Sequence, residues 1–185
     1  MRHDRFMAPS PTVVVLPGYE DSDPEHWQSR WCAAHPEYRR IAGLDWHRPE
    51  RTAWVRALRA VIREVDGPVV VVAHSLGSVT VACLGADAPP NLRAALLVTP
   101  CDTEQPGFPD AIRGFSPMPA GRLPFRTTLV ASRDDPWMRA DRAAALAAEW
   151  GSTLVDAGAV RHLNVESGHG PWPAGERLLE ELAGS

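Results

Sequence analysis

The chain contains no lysine, since all 19 of its basic residues are arginine. That absence excludes Schiff-base catalysis, pyridoxal-phosphate attachment, a P-loop lysine and a Ser-Lys dyad, each of which needs an ε-amine. Cysteine is scarce as well. Cys32, Cys83 and Cys101 cannot all pair internally and lack metal-ligand spacing, so no metal or disulfide framework is expected and the set fits reduced thiols in a cytoplasmic protein. Cys83 and Cys101 read as core filler. No apolar run approaches the ~20 residues that cross a bilayer. Residues 1–10 carry arginines but no apolar stretch of the kind a secretory signal needs, and read as a disordered tail. Nor does one sign of charge dominate: 19 basic against 23 acidic residues leave −4, with the arginines scattered, so neither nucleic acid nor an anionic membrane is an expected partner.

What is present alternates. The 185 residues suffice for one domain over 11–185 that buries roughly 70% of its unfolded surface, and no repeat or linker divides it. Strand-like apolar runs fall at Thr12–Leu16, Ile41–Asp45, Val69–Ala73, Ala94–Thr99, Thr127–Ala131 and Thr153–Asp156. Between them, helical periodicity predicts helices at Pro24–Ala34, Arg51–Val65, Leu76–Gly85, Arg139–Trp150 and Ala174–Leu182; Trp54, Leu58, Val61, Ile62 and Val65 recur as one buried face requires. This is the rhythm of an α/β fold: a three-layer sandwich with a mainly parallel sheet of about six strands. Asp102 to Pro124 departs from it, because prolines at 106, 109, 117, 119 and 124 forbid a long regular element and predict an extended excursion over the sheet.

The most informative stretch is Val71-Val72-Ala73-His74-Ser75-Leu76-Gly77. It leads from a buried strand into a helix, the context in which a G-x-S-x-G turn raises a nucleophilic serine above a sheet. Small residues two places either side let strand and helix approach; here they are Ala73, a departure from strict glycine, and Gly77. In an open parallel sheet, ligands and reacting groups gather at the carboxyl ends of strands. Beyond those ends lie Pro17-Gly18-Tyr19, Ser75, the pair Asp134-Asp135 and His162. Serine, acid and histidine therefore follow one another in the chain order of α/β hydrolases.

A serine nucleophile needs an imidazole in reach and a carboxylate on the far ring nitrogen. Of seven histidines, His162 and His169 both follow the last strand. His162 is preferred because a short loop can return it over the serine. His74 reads as a residue that packs behind the site or supports it from there, its side chain leaving the turn on the opposite side, and His26 as a structural residue near a helix start. Asp135 is chosen over Asp134 because Pro136 biases it to an extended conformation; Asp102 and Asp45 are weaker candidates. The backbone amides of Leu76 and Tyr19 are the expected oxyanion donors.

Taken together, Leu16-Pro17-Gly18-Tyr19, Ser22, His26-Trp27-Gln28, Trp31, Ala73-His74-Ser75-Leu76-Gly77, Asp134-Asp135-Pro136, His162-Leu163-Asn164, Ser167-Gly168 and Pro171-Trp172-Pro173 resemble the small serine hydrolases related to retinoblastoma-binding protein nine and the YdeN-like proteins. The resemblance covers nearly the whole chain after the tail. It implies a lidless α/β-hydrolase fold in which Asp135 and His162 complete a triad with Ser75. The serine-hydrolase reading calls for no cofactor, and the absence of a cap domain predicts a small acyl substrate. Arg161 departs from the family pattern, in which a small residue, usually glycine, precedes the histidine. A second reading is a hydrolase-fold module that binds a protein partner, for which the seven tryptophans are the natural anchors.

Overall fold

The computed structural model describes residues 10–184; the expected tail, apart from Ser10, lies outside them. Six strands form one sheet in which every pairing is parallel: β1 (Thr12–Leu16), β2 (Arg39–Arg40), β3 (Val69–His74), β4 (Leu92–Val98), β5 (Arg126–Ala131) and β6 (Thr153–Asp156), in the spatial order β2-β1-β3-β4-β5-β6. Five α-helices join them: α1 (Trp27–Ala34), α2 (Arg51–Arg63), α3 (Leu76–Ala82), α4 (Ala140–Trp150) and α5 (Pro173–Gly184). The expected three-layer α/β architecture is therefore the observed one.

The side-chain period of two in the strands divides the core. Val14, Leu16, Val69, Val71, Ala73, Ala95, Leu97 and Leu129 meet α2, α3 and α4 through Trp54, Leu58, Ile62, Val79, Leu146 and Trp150. Val13, Val15, Val70, Val72, Leu96, Val98 and Val130 point the other way, against Trp27 and Trp31 of α1 and Leu179 and Leu182 of α5. Strands buried on both faces are continuous apolar runs for this reason. Burial of Trp27, Trp31, Trp54, Trp150 and Trp172 assigns five of the seven tryptophans to packing.

One strand corrects the sequence expectation. Ile41–Asp45 is not a strand; the pairing with β1 is made by Arg39 and Arg40. The Ile41 amide still bonds the Val15 carbonyl at 2.9 Å, but Gly43 at φ 74° turns the chain away and the Asp45 carboxylate then accepts the His47 and Arg48 amides. Apolarity pointed past the strand because a short edge strand carries charge readily, and Arg40 is fixed by Asp21 and Ser29. The first helix also begins later than Pro24, at Trp27, because His26 serves as its N-cap.

The chain steps from β1 outward to β2, then returns to the other side of β1 for β3. This reversal opens a crevice beyond the carboxyl ends of β1 and β3, where such sheets bind ligands. Two glycines close its floor. A Cβ on Gly77 would come within 2.5 Å of the Pro17 carbonyl oxygen, and one on Gly18 within 2.9 Å of Ser75 Cβ.

Candidate active site

Ser75 stands between β3 and α3 at φ 55°, ψ −122°, a region that strains any residue but glycine by about 1–3 kcal/mol. Surrounding bonds hold it there. Its amide donates to the Val98 carbonyl at 3.0 Å, and buried Ser78 ties the following turn back to Ala73 and Val98.

From this turn a hydrogen-bonded chain runs through three side chains. Ser75 Oγ lies 2.9 Å from His162 Nε2, and His162 Nδ1 lies 2.9 and 3.0 Å from the two carboxylate oxygens of Asp135. A carboxylate can only accept, so Nδ1 carries the ring hydrogen and Nε2 presents its lone pair to the serine hydroxyl. The Asp135 side chain is 1% exposed, and its Oδ1, the nearer oxygen to His162, also accepts the Trp137 amide at 2.9 Å. Arranged in this way, the three groups can take a proton from the hydroxyl and hold the resulting imidazolium.

The neighbouring acid has a different task. Asp134 accepts the Ser132 hydroxyl and, at 2.7 Å, the Arg161 amide; these bonds hold its carboxyl below the usual range, the Arg161 amide first. It thereby shapes the loop that carries His162. Asp102 turns instead toward Glu104 and Arg142, and His169 bonds the Ser167 hydroxyl at 3.3 Å within its own turn. The Leu76 amide is the first of α3, one of the donors that a helix start leaves unpaired. Gly18 brings the loop after β1 against it, for a Cβ there would lie 3.4 Å from Leu76 N; Tyr19 follows directly.

These groups open into a cavity of ≈ 480 Å³, walled by Phe108, Pro109 and Ile112 of the proline-rich excursion together with Tyr19 and Trp137. A larger groove of ≈ 690 Å³ at the amino ends of β5 and β6 is lined by Arg122, Phe125, Arg126 and Leu178; its lining includes neither serine, cysteine nor histidine, so the smaller cavity is the candidate site. Among the described residues, no group of three or more His, Cys, Asp or Glu side chains is arranged to hold a metal ion, and no helix is long and apolar enough to cross a membrane.

Three cavity residues carry more than the sequence disclosed. Cys101, read as filler, lies beside Ser75, and burial pushes its thiol up to about 12, leaving it protonated. The rule that singled out residues beyond strand ends applies to it equally, since it follows β4. His26 accepts the Gln28 amide on Nδ1 at 3.2 Å; burial first, then Arg40 and His162, lower its pKa to about 4. His74 is buried as expected for packing, yet its ring lies against the ring of His162 at 4.9 Å rather than across the turn from it.

An all-parallel sheet with helices on both faces and a serine at the strand-to-helix turn defines a protein of the α/β-hydrolase type. Within that class the chain belongs to the serine hydrolase family, whose model matches residues 13–181. It is similar to a protein from Pectobacterium atrosepticum described as a YdeN-like hydrolase, with 33% identity over 94% of this chain and 91% of that one, at a TM-score of 0.83. The ydeN gene product of B. subtilis shares the fold at 17% identity and TM-score 0.75, over 95% of this chain and all (100%) of that one. So does the type II thioesterase BorB from the borrelidin biosynthetic cluster, at 18% identity and TM-score 0.64, over 97% and 93%. No curated protein matches the chain.

Proposed function

We propose that the protein hydrolyses small esters through a Ser75-His162-Asp135 triad and an acyl-enzyme. The observation that carries this reading is the continuous chain from Ser75 Oγ through both His162 nitrogens to Asp135, at 2.9 Å per step. In acylation, His162 Nε2 takes the hydroxyl proton as Ser75 Oγ attacks the acyl carbon. The negative charge that develops on the carbonyl oxygen is met by the Leu76 and Tyr19 amides, each worth about 3–4 kcal/mol in such sites. His162 then gives its proton to the departing alkoxide, and the alcohol leaves. Water repeats the sequence: His162 deprotonates it, the acyl group departs as the acid, and the proton returns to Ser75. The excursion contributes Phe108, Pro109 and Ile112 to the wall of the ≈ 480 Å³ cavity, a size that favours short acyl groups.

The test is turnover of p-nitrophenyl esters of increasing acyl length. Ser75→Ala should reduce kcat by about 10⁴-fold or more, and acetate or butyrate should exceed longer chains in kcat/KM. Undiminished turnover by the alanine variant would remove Ser75 from the mechanism, and faster cleavage of long chains would remove the size limit.

A further inference from the structure

His74 takes no part in the proton transfers above, yet one bond connects it to the base. Its Nε2 is 2.8 Å from the main-chain carbonyl oxygen of His162. A carbonyl only accepts, so Nε2 carries the hydrogen and donates it. Burial, and then the His162 and His26 imidazoles, hold the ring's pKa well below its ordinary value of 6.5, which leaves Nδ1 without a hydrogen. Thr99 Oγ1 donates to the same oxygen at 3.3 Å. The ring is confined on its other side by His26, whose centroid is 4.9 Å away at 62°.

The loop around His162 needs such a tie. Arg161 and Leu163 both stand at φ 51°, so the base sits between two residues in a conformation that side chains disfavour. Asp135 holds the imidazole and Asp134 the Arg161 amide, while Trp27 Nε1 holds the Leu163 carbonyl at 2.9 Å. The His162 carbonyl lies between these points. Its principal donor comes from the residue directly before Ser75, so one bond joins the nucleophile's strand to the backbone of its base.

We propose that His74 is a positioning residue that sets the Ser75–His162 separation by donating Nε2–H to the His162 carbonyl. The assignment rests on reading Ser75 as nucleophile and His162 as base. It differs from a packing role in a way that substitutions separate. His74→Gln can place an amide nitrogen near the position of Nε2, His74→Asn places one near Nδ1 and falls short, and His74→Leu keeps volume without a donor.

Displacement of a reacting group by about 1 Å costs on the order of 10²-fold in rate. His74→Leu and His74→Asn should therefore lose about 10²-fold in kcat with KM within about threefold, and fluorophosphonate labelling of Ser75 should slow by the same factor. His74→Gln should retain most of both. Equal kcat in the Gln and Asn variants, at matched thermal midpoints, would overturn the proposal, as would wild-type kcat in His74→Leu; where the leucine variant does not fold, the Gln and Asn pair decides. Ser75→Ala is assayed beside them: its inactivity with unaffected His74 variants overturns this proposal alone, whereas its retained turnover overturns the parent reading and this one with it.

Discussion

Arg161 and Ser75 both occupy backbone conformations that favour glycine, at φ 51° and 55°, but only one of them has a chemical reason to be there. Ser75 holds the strained turn that presents its hydroxyl. Arg161 shows why a glycine usually precedes the histidine in the resemblance: the loop turns through the left-handed region at that point. Arg161→Gly should stabilise the fold by about 1 kcal/mol, the cost of a Cβ in that conformation, read as a higher denaturant midpoint at unchanged slope. A lower midpoint would mean that the arginine side chain contributes more than its backbone costs. Gly77→Ala is the converse case. With backbone carbonyls 2.5 and 2.6 Å from the new Cβ, strand and helix must part, and a loss of about 1–3 kcal/mol should accompany reduced turnover; an unchanged melting temperature would show that the crevice floor yields. The convergence of Ser75, Asp135 and His162 was legible because each lies beyond the carboxyl end of a strand of the parallel sheet. Cys101 was not read as a site residue, since a small buried thiol looks like packing until distances are known, and His74 was read as packing or support but on the wrong side of the turn, for its ring lies 4.9 Å from that of His162.

At the level of elements, apolar runs located the four strands with buried residues, β1, β3, β4 and β5, and also β6, whose Leu154 and Val155 are apolar though none of its residues is buried, and failed at the two-arginine strand β2. The expected start of α1 at Pro24 overshot because histidine is an uncommon N-cap, and His26 holds that position here. Helix α2 shows capping by a long side chain, with Glu50 accepting the Thr52 and Ala53 amides at 3.1 and 2.8 Å. The same residue's backbone bridges to Arg113 of the excursion, which connects the helix start to the roof of the cavity. Glu50→Ala should cost about 1 kcal/mol of stability, the usual worth of a cap, measured by chemical denaturation; a change below about 0.2 kcal/mol would show that water replaces the carboxylate fully.

For the molecule as a whole, the sheet order places the site and the buried imidazoles give it a pH signature. The native pKa of His26 is lowered to about 4 from 6.5, and His74 moves in the same direction. The unfolded chain therefore binds protons first as pH falls. Stability is complete above about 6.5 and declines toward pH 4, by roughly 3 kcal/mol for His26 alone. Denaturant midpoints across that interval should fall more steeply for the wild type than for His26→Asn, which keeps a capping oxygen but does not titrate; parallel curves would contradict the assignment. In the proposed mechanism Ser75 is a nucleophile already activated in the resting fold. Intact and peptide mass spectrometry after brief exposure to a fluorophosphonate should then show one adduct, on Ser75, that disappears in His162→Ala. No adduct, or an adduct that survives loss of His162, would contradict that mechanism.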